Sequence, residues 1–306
     1  MLPRTNPDPL PTSALWRTWS AVAFQRSRAR SAGCLLAAGG AADGARLPPA
    51  CSDHVRGKTI LVTGASRNVG EEVALVLLRA GARVLAASRS EPAHAQLRGA
   101  FEPLDLADAA SIHALARRLS DRGIVLDEVV LNAAVIGKAA YRTNVLGNAL
   151  LVSALLRANA LRPDARLVFV TGDIYITERN CTADFPGDAS RSYARSKLGV
   201  NWYALELQRR RPDLEVCLVH PGVVASDLFR VHSAIVDRIR RLVLLSASDG
   251  AAPVALAASV PSAHFVRGGY LVNTLGWCAF ESADPSSNAK RRAEFWGELA
   301  RKGAAL

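Results

Sequence analysis

The stretch KTILVTGASRNVG at residues 58–70 decides the fold, because an apolar strand runs through it into a glycine-containing turn and then into a helix. In a doubly wound α/β sheet, this first strand-to-helix turn places helix N–H groups around a bound pyrophosphate. Gly64 permits the tight turn and Gly70 permits close packing of the helix. Asn68 stands between them, and asparagine is the non-glycine residue that best tolerates left-handed backbone. We therefore predict a nucleotide-binding turn here.

Strand and helix patterns alternate through the chain beyond this turn. Unbroken apolar runs predict strands at residues 82–89, 126–134, 165–172, 214–222 and 268–273. Helical patterns accompany them at residues 71–81, 110–123, 143–159, 192–210 and 287–302. Strands that are apolar throughout and alternate with helices form a parallel sheet covered by helices on both faces. The predicted class is α/β: one domain with a doubly wound parallel sheet of the Rossmann type, three αβα layers and right-handed crossovers.

Residues 1–55 differ from the rest of the chain. They open with the proline-rich stretch LPRTNPDPLP, and Asp8 is the one acidic residue among the first 42, against five arginines. Arginine-rich, acid-poor N-termini are typical of organellar transit peptides. A disordered tail or an over-extended gene start is the alternative. We expect the catalytic domain to span residues 56–306.

Composition excludes several classes of protein. The net charge is +11, but 33 of the 38 basic residues are arginines scattered along the chain, so we expect no nucleic-acid partner. The five cysteines form no CxxC motif, which favours free thiols in a reducing compartment and no metal site. No run of 18 apolar residues predicts a transmembrane segment. We expect a cytoplasmic protein, or organelle import if residues 1–55 act as a transit peptide.

The end of the second predicted strand bears on the choice of cofactor. NAD sites place a carboxylate here to accept the ribose 2′-hydroxyl, whereas this strand ends Ala87-Ser88-Arg89. Arg89 and Arg67, which lies in the turn, are both available to a 2′-phosphate. The sequence therefore favours NADP over NAD.

A tyrosine and a lysine stand four residues apart in RSYARSKLGVN, residues 191–201. On a helix, Tyr193 and Lys197 lie on one face, which puts an ammonium beside a phenol. A nearby cation lowers the tyrosine pKa from about 10, so that the phenol can exchange a proton near neutral pH. The alternative is an ordinary helix with a half-buried tyrosine and a solvated lysine.

Seven motifs together give the chain from about residue 56 to 302 a resemblance to the short-chain dehydrogenase/reductase family, and to its retinol-dehydrogenase-like branch in particular. TGASRNVG resembles the family's TGxxxGxG turn, and YARSK resembles its YxxxK motif. The remaining matches are LDLAD with the adenine-contacting Asp-Leu, LNAA with NNAG, NVLGN with N-x-x-G, HPGVVASDL with PGxxxT, and RGGYLVN with the final strand.

The resemblance implies roles for individual residues. Tyr193 would be the general acid/base, Lys197 would lower its pKa and hold the nicotinamide ribose, and Asn144 would carry a proton-relaying water. The alternatives are that Asn132 and Asn144 are core amides with satisfied hydrogen bonds and that Asp105 is a simple helix cap. The implied cofactor-binding residues are Gly64, Ser66, Arg67, Asn68, Val69, Gly70, Arg89, Asp105, Leu106, Asn132, Ala133, Tyr193, Lys197, Pro221, Gly222, Val223 and Ser226.

One departure from the family pattern concerns catalysis. The family's catalytic serine follows the fifth strand, and the matching residue here is Gly172, between Thr171 and Asp173. Losing one donor to a developing oxyanion typically costs ~10²–10³-fold in rate. Thr171 would replace the serine only if the strand end shifted by one residue, and a water above Gly172 is another substitute. An ionised Asp173 would repel the developing charge, so we expect it on the rim as a loop acid without a catalytic role.

Substrate specificity is expected to come from residues 173–190 and 223–262. The second segment offers a lipophilic pocket and a basic edge at residues 238–241 that favours weak contact with a membrane surface. Ordinary packing is the alternative for its apolar residues, which are Leu228, Phe229, Ile235, Ile239, Leu242 and Val243.

Two functions remain open from the sequence. The first is an NADP-dependent oxidoreductase that moves a hydride between the nicotinamide and a small or lipophilic carbonyl or alcohol. The second is an NADP(H)-binding protein with weak or no turnover, acting as a sensor or partner-binding module. The resemblance further implies a homodimer or homotetramer assembled through helices 142–160 and 191–211.

Overall fold

A computed structural model of the 306-residue chain describes residues 8–9, 47–182, 188–225, 244–273 and 275–305. Most of the predicted N-terminal tail lies outside these residues. So do Ser226 and the six apolar residues of the predicted lipophilic pocket, together with the basic edge at residues 238–241.

One sheet of nine strands runs through the described part of the chain. In spatial order it is β1-β9-β8-β7-β6-β5-β2-β3-β4, and every neighbouring pair is parallel except β8 and β9. The predicted doubly wound parallel sheet is therefore confirmed. The strands are β1 (Asp8–Pro9), β2 (Thr59–Thr63), β3 (Arg83–Ser88), β4 (Phe101–Pro103), β5 (Leu126–Leu131), β6 (Leu161–Val170), β7 (Glu215–His220), β8 (Tyr270–Val272) and β9 (Gly276–Ala279).

Helices cover both faces of this sheet. Alternate strand residues enter different cores: Leu61 belongs to one, and Ile60 and Val62 belong to the other. The helices are α1 (Pro49–Val55), α2 (Asn68–Arg79), α3 (Ala95–Arg98), α4 (Ala109–Asp121), α5 (Asn148–Arg157), α6 (Ala189–Arg210), α7 (Ala247–Ser259) and α8 (Ala289–Arg301). A π-helix spans Tyr141–Gly147, and 3₁₀ turns span Asp173–Thr177, Ser262–His264 and Pro285–Ser287.

Residues that precede the predicted domain start at 56 also contribute to the core. Leu47, Cys51 and Val55 are buried in the core that also contains α2 and α7, with Cys51 and Val55 fully inaccessible. Helix α1 therefore adds apolar side chains to the same core as β2.

Helix α7 occupies much of the segment at residues 223–262 that was expected to set substrate specificity. Ser246 and Asp249 form a capping box at its start, and the helix buries an almost wholly apolar sequence. Gly250 packs against Val224, where an added Cβ would come within 2.5 Å of the valine Cγ2 atom. Residues 247–259 are thus largely core.

Helix α8 packs on the helix that carries the Tyr–Lys pair. Its Trp296 ring stacks on Tyr203 with centroids 5.5 Å apart, and Phe295 meets Trp202 edge-on at 5.6 Å. All four rings are at most 4 % exposed. The resemblance predicts that α6 contacts a second subunit, whereas this aromatic part of α6 packs against the chain's own α8.

Candidate active site

The turn after β2 has the backbone that a phosphate-binding turn requires. Gly64 has φ +71° and Asn68 has φ +54°, so the predicted left-handed conformation of Asn68 is confirmed. A Cβ on Gly70 would lie 2.2 Å from the Gly64 carbonyl oxygen, so only glycine fits there. Helix α2 begins at Asn68 and directs its first N–H groups toward this turn.

The ends of β2 and β5 are joined by side-chain hydrogen bonds beside the turn. The Asn132 amide Nδ2 donates to the Thr63 carbonyl oxygen at 2.9 Å. The backbone N–H groups of Asn132 and Ala133 both donate to Thr63 Oγ1 at 3.0 Å. The Asn132 side chain therefore behaves as an amide with a satisfied hydrogen bond, which was the alternative interpretation. Its contact with the Thr63 carbonyl stabilises the turn. Thr63 was not among the predicted site residues.

The two arginines expected near the ribose are both exposed. Arg67 lies at the N-cap of α2, and Arg89 follows the last residue of β3. Ser88, the last residue of that strand, donates through Oγ to the Ser90 carbonyl oxygen at 2.7 Å. Residues 87–90 contain no carboxylate.

The Asp105-Leu106 pair lies at the end of β4. The Asp105 carboxylate accepts from the Ala107 N–H at 2.8 Å, which fixes a local turn. The cap of α4 is Asp108, so the interpretation of Asp105 as a helix cap is wrong. A Cβ on Gly147 would lie 2.1 Å from the Leu106 carbonyl oxygen, which explains the glycine of the NVLGN motif.

Tyr193 and Lys197 are both buried in the first turns of α6, at 9 % and 2 % exposure. The lysine is not solvated, which excludes the ordinary-helix interpretation of the pair. Lys197 Nζ donates to the Val170 carbonyl oxygen at 2.9 Å and lies 5.3 Å from the centroid of the Tyr193 ring. The pair therefore lies at the carboxyl end of β6.

Burial controls the proton affinities of this pair. It raises the pKa of the Tyr193 phenol above its ordinary value and lowers the pKa of Lys197 to about 8. The expected lowering of the tyrosine pKa is therefore wrong for this structure. The physical reason is that water is removed from both groups, while the ammonium is directed to the Val170 carbonyl.

Asn144 lies in the π-helix and is 1 % exposed. Its Oδ1 accepts from the Val135 N–H at 2.8 Å, and its Nδ2 donates to Val135 O and to Ser196 Oγ, both at 2.9 Å. Ser196 Oγ donates in turn to the Tyr193 carbonyl oxygen at 2.7 Å. Asn144 thus ties the loop after β5 to the turn of α6 that carries the tyrosine, as the satisfied-amide interpretation requires. Ser196 was not among the predicted site residues.

The position of the family's serine is a buried glycine that is bordered by polar side chains. Gly172 has extended backbone, with φ −172°. Thr171 does not replace the serine, because its Oγ1 donates to Asn201 Oδ1 at 2.7 Å and is buried against α6. Asp173 is not the expected rim acid: its side chain is 15 % exposed, and Oδ1 accepts from the Tyr270 hydroxyl at 2.6 Å.

The loop after β7 brings Pro221, Gly222 and Val223 to the same edge of the sheet. Gly222 has φ +85°, which permits the bend. Asn273 Nδ2 donates to the Pro221 carbonyl oxygen at 2.8 Å, and the Leu245 N–H donates to the Val223 carbonyl oxygen at 3.1 Å. Asn273, which holds this loop, was not predicted.

The polar segment after Asp173 is tied down at its base. Glu178 is 4 % exposed and accepts from Arg191 Nε at 3.2 Å and from Arg195 Nε at 2.6 Å. Both arginines flank Tyr193 on α6. This ion-pair cluster fixes the start of the predicted substrate loop to the tyrosine-bearing turn.

The described parts of the chain contain neither a membrane-spanning helix nor a cluster of metal-ligating side chains. No helix there is long and apolar enough to cross a membrane. No three His, Cys, Asp or Glu side chains there come close enough to hold a metal ion.

Solved structures share this fold. A Thermoplasma acidophilum aldohexose dehydrogenase in ligand-free form has a TM-score of 0.60 and 18 % identity, covering 73 % of this chain and 95 % of its own. A short chain dehydrogenase from Shigella flexneri complexed with NADP has a TM-score of 0.58 and 22 % identity, covering 72 % and 99 %. At these identities the likeness concerns the fold.

Comparisons of sequence identify the family to which the chain belongs. The NAD dependent epimerase/dehydratase family matches residues 60–258. Polyprenol dehydrogenase of Mus musculus is 31 % identical over 252 residues, covering 70 % of this chain and 75 % of its own. Dehydrogenase/reductase SDR family member 13 of Bos taurus is 30 % identical over 287 residues, covering 82 % and 74 %. These relatives support an oxidoreductase role, and the chain belongs to the short-chain dehydrogenase/reductase family, in its retinol-dehydrogenase-like branch.

Proposed function

We propose that the protein is an NADP-dependent oxidoreductase that interconverts a lipophilic carbonyl compound and its alcohol. The observation that carries the proposal is the buried Tyr193–Lys197 pair at the carboxyl end of β6, on the same sheet edge as the nucleotide turn. A tyrosine placed at the strand ends of such a sheet faces the region where ligands of doubly wound folds bind.

The residues at this edge fit a dinucleotide phosphate. The turn at Gly64 and Gly70 packs closely against Asn132, and α2 directs its N-terminus to it. The exposed Arg67 and Arg89, together with the lack of a carboxylate in residues 87–90, favour the 2′-phosphate of NADP over the free hydroxyl of NAD. The bound cofactor supplies the hydride. Asp105, Asn132 and the Pro221–Val223 segment complete the proposed binding surface.

Tyr193 gives a proton to the substrate oxygen in reduction and takes it back in oxidation. With the pKa lowered to about 8, most of Lys197 carries its charge at pH 7, and this cation favours the phenolate form that the reaction generates. Asn144 and Ser196 hold the turn that bears the phenol. The three groups have distinct roles: proton transfer for the tyrosine, charge for the lysine and positioning for the amide–hydroxyl pair.

The names of the relatives support a lipophilic substrate. They include polyprenol dehydrogenase and retinol dehydrogenase 14 of Mus musculus and a daunorubicin C-13 ketoreductase of Streptomyces. In this chain the apolar sequence at residues 228–243 is the segment proposed to contact such a substrate.

The test is NADPH oxidation by the full chain with a panel of aliphatic and isoprenoid aldehydes and ketones. Tyr193→Phe should lower kcat by at least ~10³-fold, since it removes the transferred proton. Tyr203→Phe is the matched control, because Tyr203 is a second buried tyrosine on α6 that packs against α8 instead. Turnover that survives Tyr193→Phe would contradict the proposal.

Gly172 supports a second function, an NADP(H)-binding protein with weak or no turnover. The family's hydroxyl donor is absent there. Under this alternative, NADPH binds and quenches tryptophan fluorescence, but no carbonyl in the panel is reduced and Tyr193→Phe has no measurable effect.

A further inference from the structure

We propose that a cavity at the amino edge of the sheet binds a small amphipathic carboxylate. The cavity has a volume of about 270 Å³, and both arginine and apolar side chains line it. The candidate active site lies at the carboxyl edge, at the other end of the strands. The inference therefore goes beyond the proposed function and does not depend on it.

The cavity lies where β8 begins and β9 ends. Tyr270, the first residue of β8, pairs with Cys278 of the antiparallel β9, so Phe280 comes to the amino end of β8. Helix α6 contributes Leu205 to the wall, and Arg292 comes from the first turns of α8. The loop before β8, the end of β9 and both helices therefore border the cavity.

Three half-buried apolar side chains suit a hydrocarbon. Leu205 and Phe280 pack against one core of the sheet and Val266 packs against the other, yet each keeps an accessible part. Removing these parts from water favours the entry of an apolar ligand. An apolar cavity of about 150 Å³ holds one benzene ring, so the present one has room for about ten heavy atoms. A straight-chain carboxylate of about eight carbons has this size.

Arg292 supplies a charge that the described part of the chain leaves uncompensated. Its guanidinium makes one hydrogen bond there, from Nη1 to the Ser286 carbonyl oxygen at 2.9 Å, and no ion pair. Its Nε is buried without a partner in the same part of the chain, and burial lowers the pKa of the group. A guanidinium has five N–H donors, so the Nη atoms keep donors for a ligand oxygen.

Arg267 is the second cation of the cavity, and its charge is partly compensated. Its Nη2 lies 3.5 Å from Glu215 Oε1, but the other oxygen of that carboxylate accepts from Arg166 at 2.6 Å. One carboxylate therefore serves two cations. The Nη1 atom of Arg267 donates to the Pro212 and Leu214 carbonyl oxygens at 2.8 and 2.7 Å, which fixes the guanidinium in place.

A second shared carboxylate leaves this region positive. Glu206 attracts Arg292 at longer range and accepts from Arg209 at 2.7 Å and from Arg210 at 2.8 Å. With the two arginines at Glu215, five cations surround two carboxylates, and no lining residue is Asp or Glu. This balance excludes a cationic ligand and favours an anion. Guanidinium groups match the planar carboxylate, and the apolar wall accommodates its chain.

The test is isothermal titration calorimetry of the full chain with sodium octanoate. We expect saturable binding, and octan-1-ol, which has the same chain without the charge, should bind at least ~10-fold more weakly. Arg292→Met should weaken octanoate binding at least ~10-fold, since it removes the uncompensated cation. Arg291→Met is the matched control and should leave the affinity unchanged, because Arg291 is exposed on the same helix and pairs with Glu294.

Leu205→Trp is a second variant, because the larger side chain fills the cavity from α6. It should abolish octanoate binding, and circular dichroism shows whether it folds; if it does not, Arg292→Met and the octan-1-ol comparison decide. The inference is overturned if the native chain shows no saturable binding, if Arg292→Met leaves the affinity unchanged, or if folded Leu205→Trp still binds. These measurements use neither NADPH nor a carbonyl, so a failure of the proposed function would leave them unaffected.

Discussion

Lys197 donates to the backbone carbonyl of Val170 across 2.9 Å, from a helix to the end of the neighbouring strand. This contact holds a buried ammonium at the carboxyl edge of the sheet, and burial lowers the pKa of Lys197 to about 8. The ordinary pKa is 10.5, so the native state binds this proton less tightly than the unfolded chain does.

The lysine therefore has a predictable effect on stability. Below pH 8 both states are protonated and the penalty for burying the charge is fully present. Between about pH 8 and 10.5 the unfolded chain holds more protons, so stability rises with pH. Relative to Lys197→Met, the native protein should gain on the order of 3 kcal/mol across this range. Urea unfolding of both proteins at pH 7, 8, 9 and 10 measures it, and a constant difference would refute the assignment.

Gly70→Ala should damage the nucleotide turn. Its Cβ would lie 2.2 Å from the Gly64 carbonyl oxygen, so the backbone of the turn must move. We expect a loss of about 1–3 kcal/mol in unfolding free energy and at least ~10-fold weaker NADPH binding. Gly99→Ala is the matched control, because Gly99 has φ −70° and no heavy atom within 4 Å of an added Cβ. Thermal unfolding and NADPH fluorescence titration give the two quantities, and equal behaviour of the variants would contradict this account.

Arg89→Ala should change cofactor preference. If the guanidinium contacts the 2′-phosphate, its loss weakens NADPH binding by ~10-fold or more and leaves NADH binding almost unchanged, since one charge-assisted pair is removed. Arg83 is also exposed, but it starts β3 at the opposite end of the same strand, and Arg83→Ala should change neither affinity. Fluorescence titration with both nucleotides distinguishes the variants. A similar loss of NADH affinity in Arg89→Ala would show that the residue does not select the phosphate.

The aromatic face of α6 should take no part in subunit assembly, which light scattering at micromolar concentration measures against the monomer mass of 32.6 kDa. The aromatic face of α6 that includes Trp202 and Tyr203 is already covered by Phe295 and Trp296 of α8. Trp296→Asp should place a charge against this face and lower stability by a few kcal/mol, because a large aromatic side chain leaves the core. Arg291→Asp on the same helix is the control, since Arg291 is exposed. A stable native dimer would show that another surface mediates assembly.

The fold was predictable because its signals are local. Apolar strands alternate with helices at the expected spacing, and the left-handed conformation of Asn68 follows from an intrinsic preference of asparagine. Helix α7 was missed because ASDGAAPVALAAS is apolar all round and shows no amphipathic period. Helix α1 was missed for a related reason. It is seven residues long, which is too short for its pattern to stand out from the arginine-rich sequence before it.

The residues of the site were predictable one by one, but their partners were not. Thr63 supports Asn132 across 69 positions, and Asn273 holds Pro221 across 52. Neither pairing can be predicted from the residues that are adjacent in the sequence. The prediction of a lowered pKa for Tyr193 failed because burial, which raises the pKa of the phenol, depends on elements packed around α6 and is not visible in the helical spacing of Tyr193 and Lys197. Ser196 lies inside YARSK, and its link to Asn144 becomes visible only when the π-helix is known.

The packing of α8 on α6 has a consequence for genetics. Every predicted catalytic or cofactor-binding residue precedes residue 227, and α8 begins at Ala289. A stop codon after β9 and before α8 would leave all of these residues in the translated chain. Such an allele should nevertheless be a null, because Trp202 and Tyr203 would lose their cover and the helix that presents Tyr193 and Lys197 would no longer be held in place.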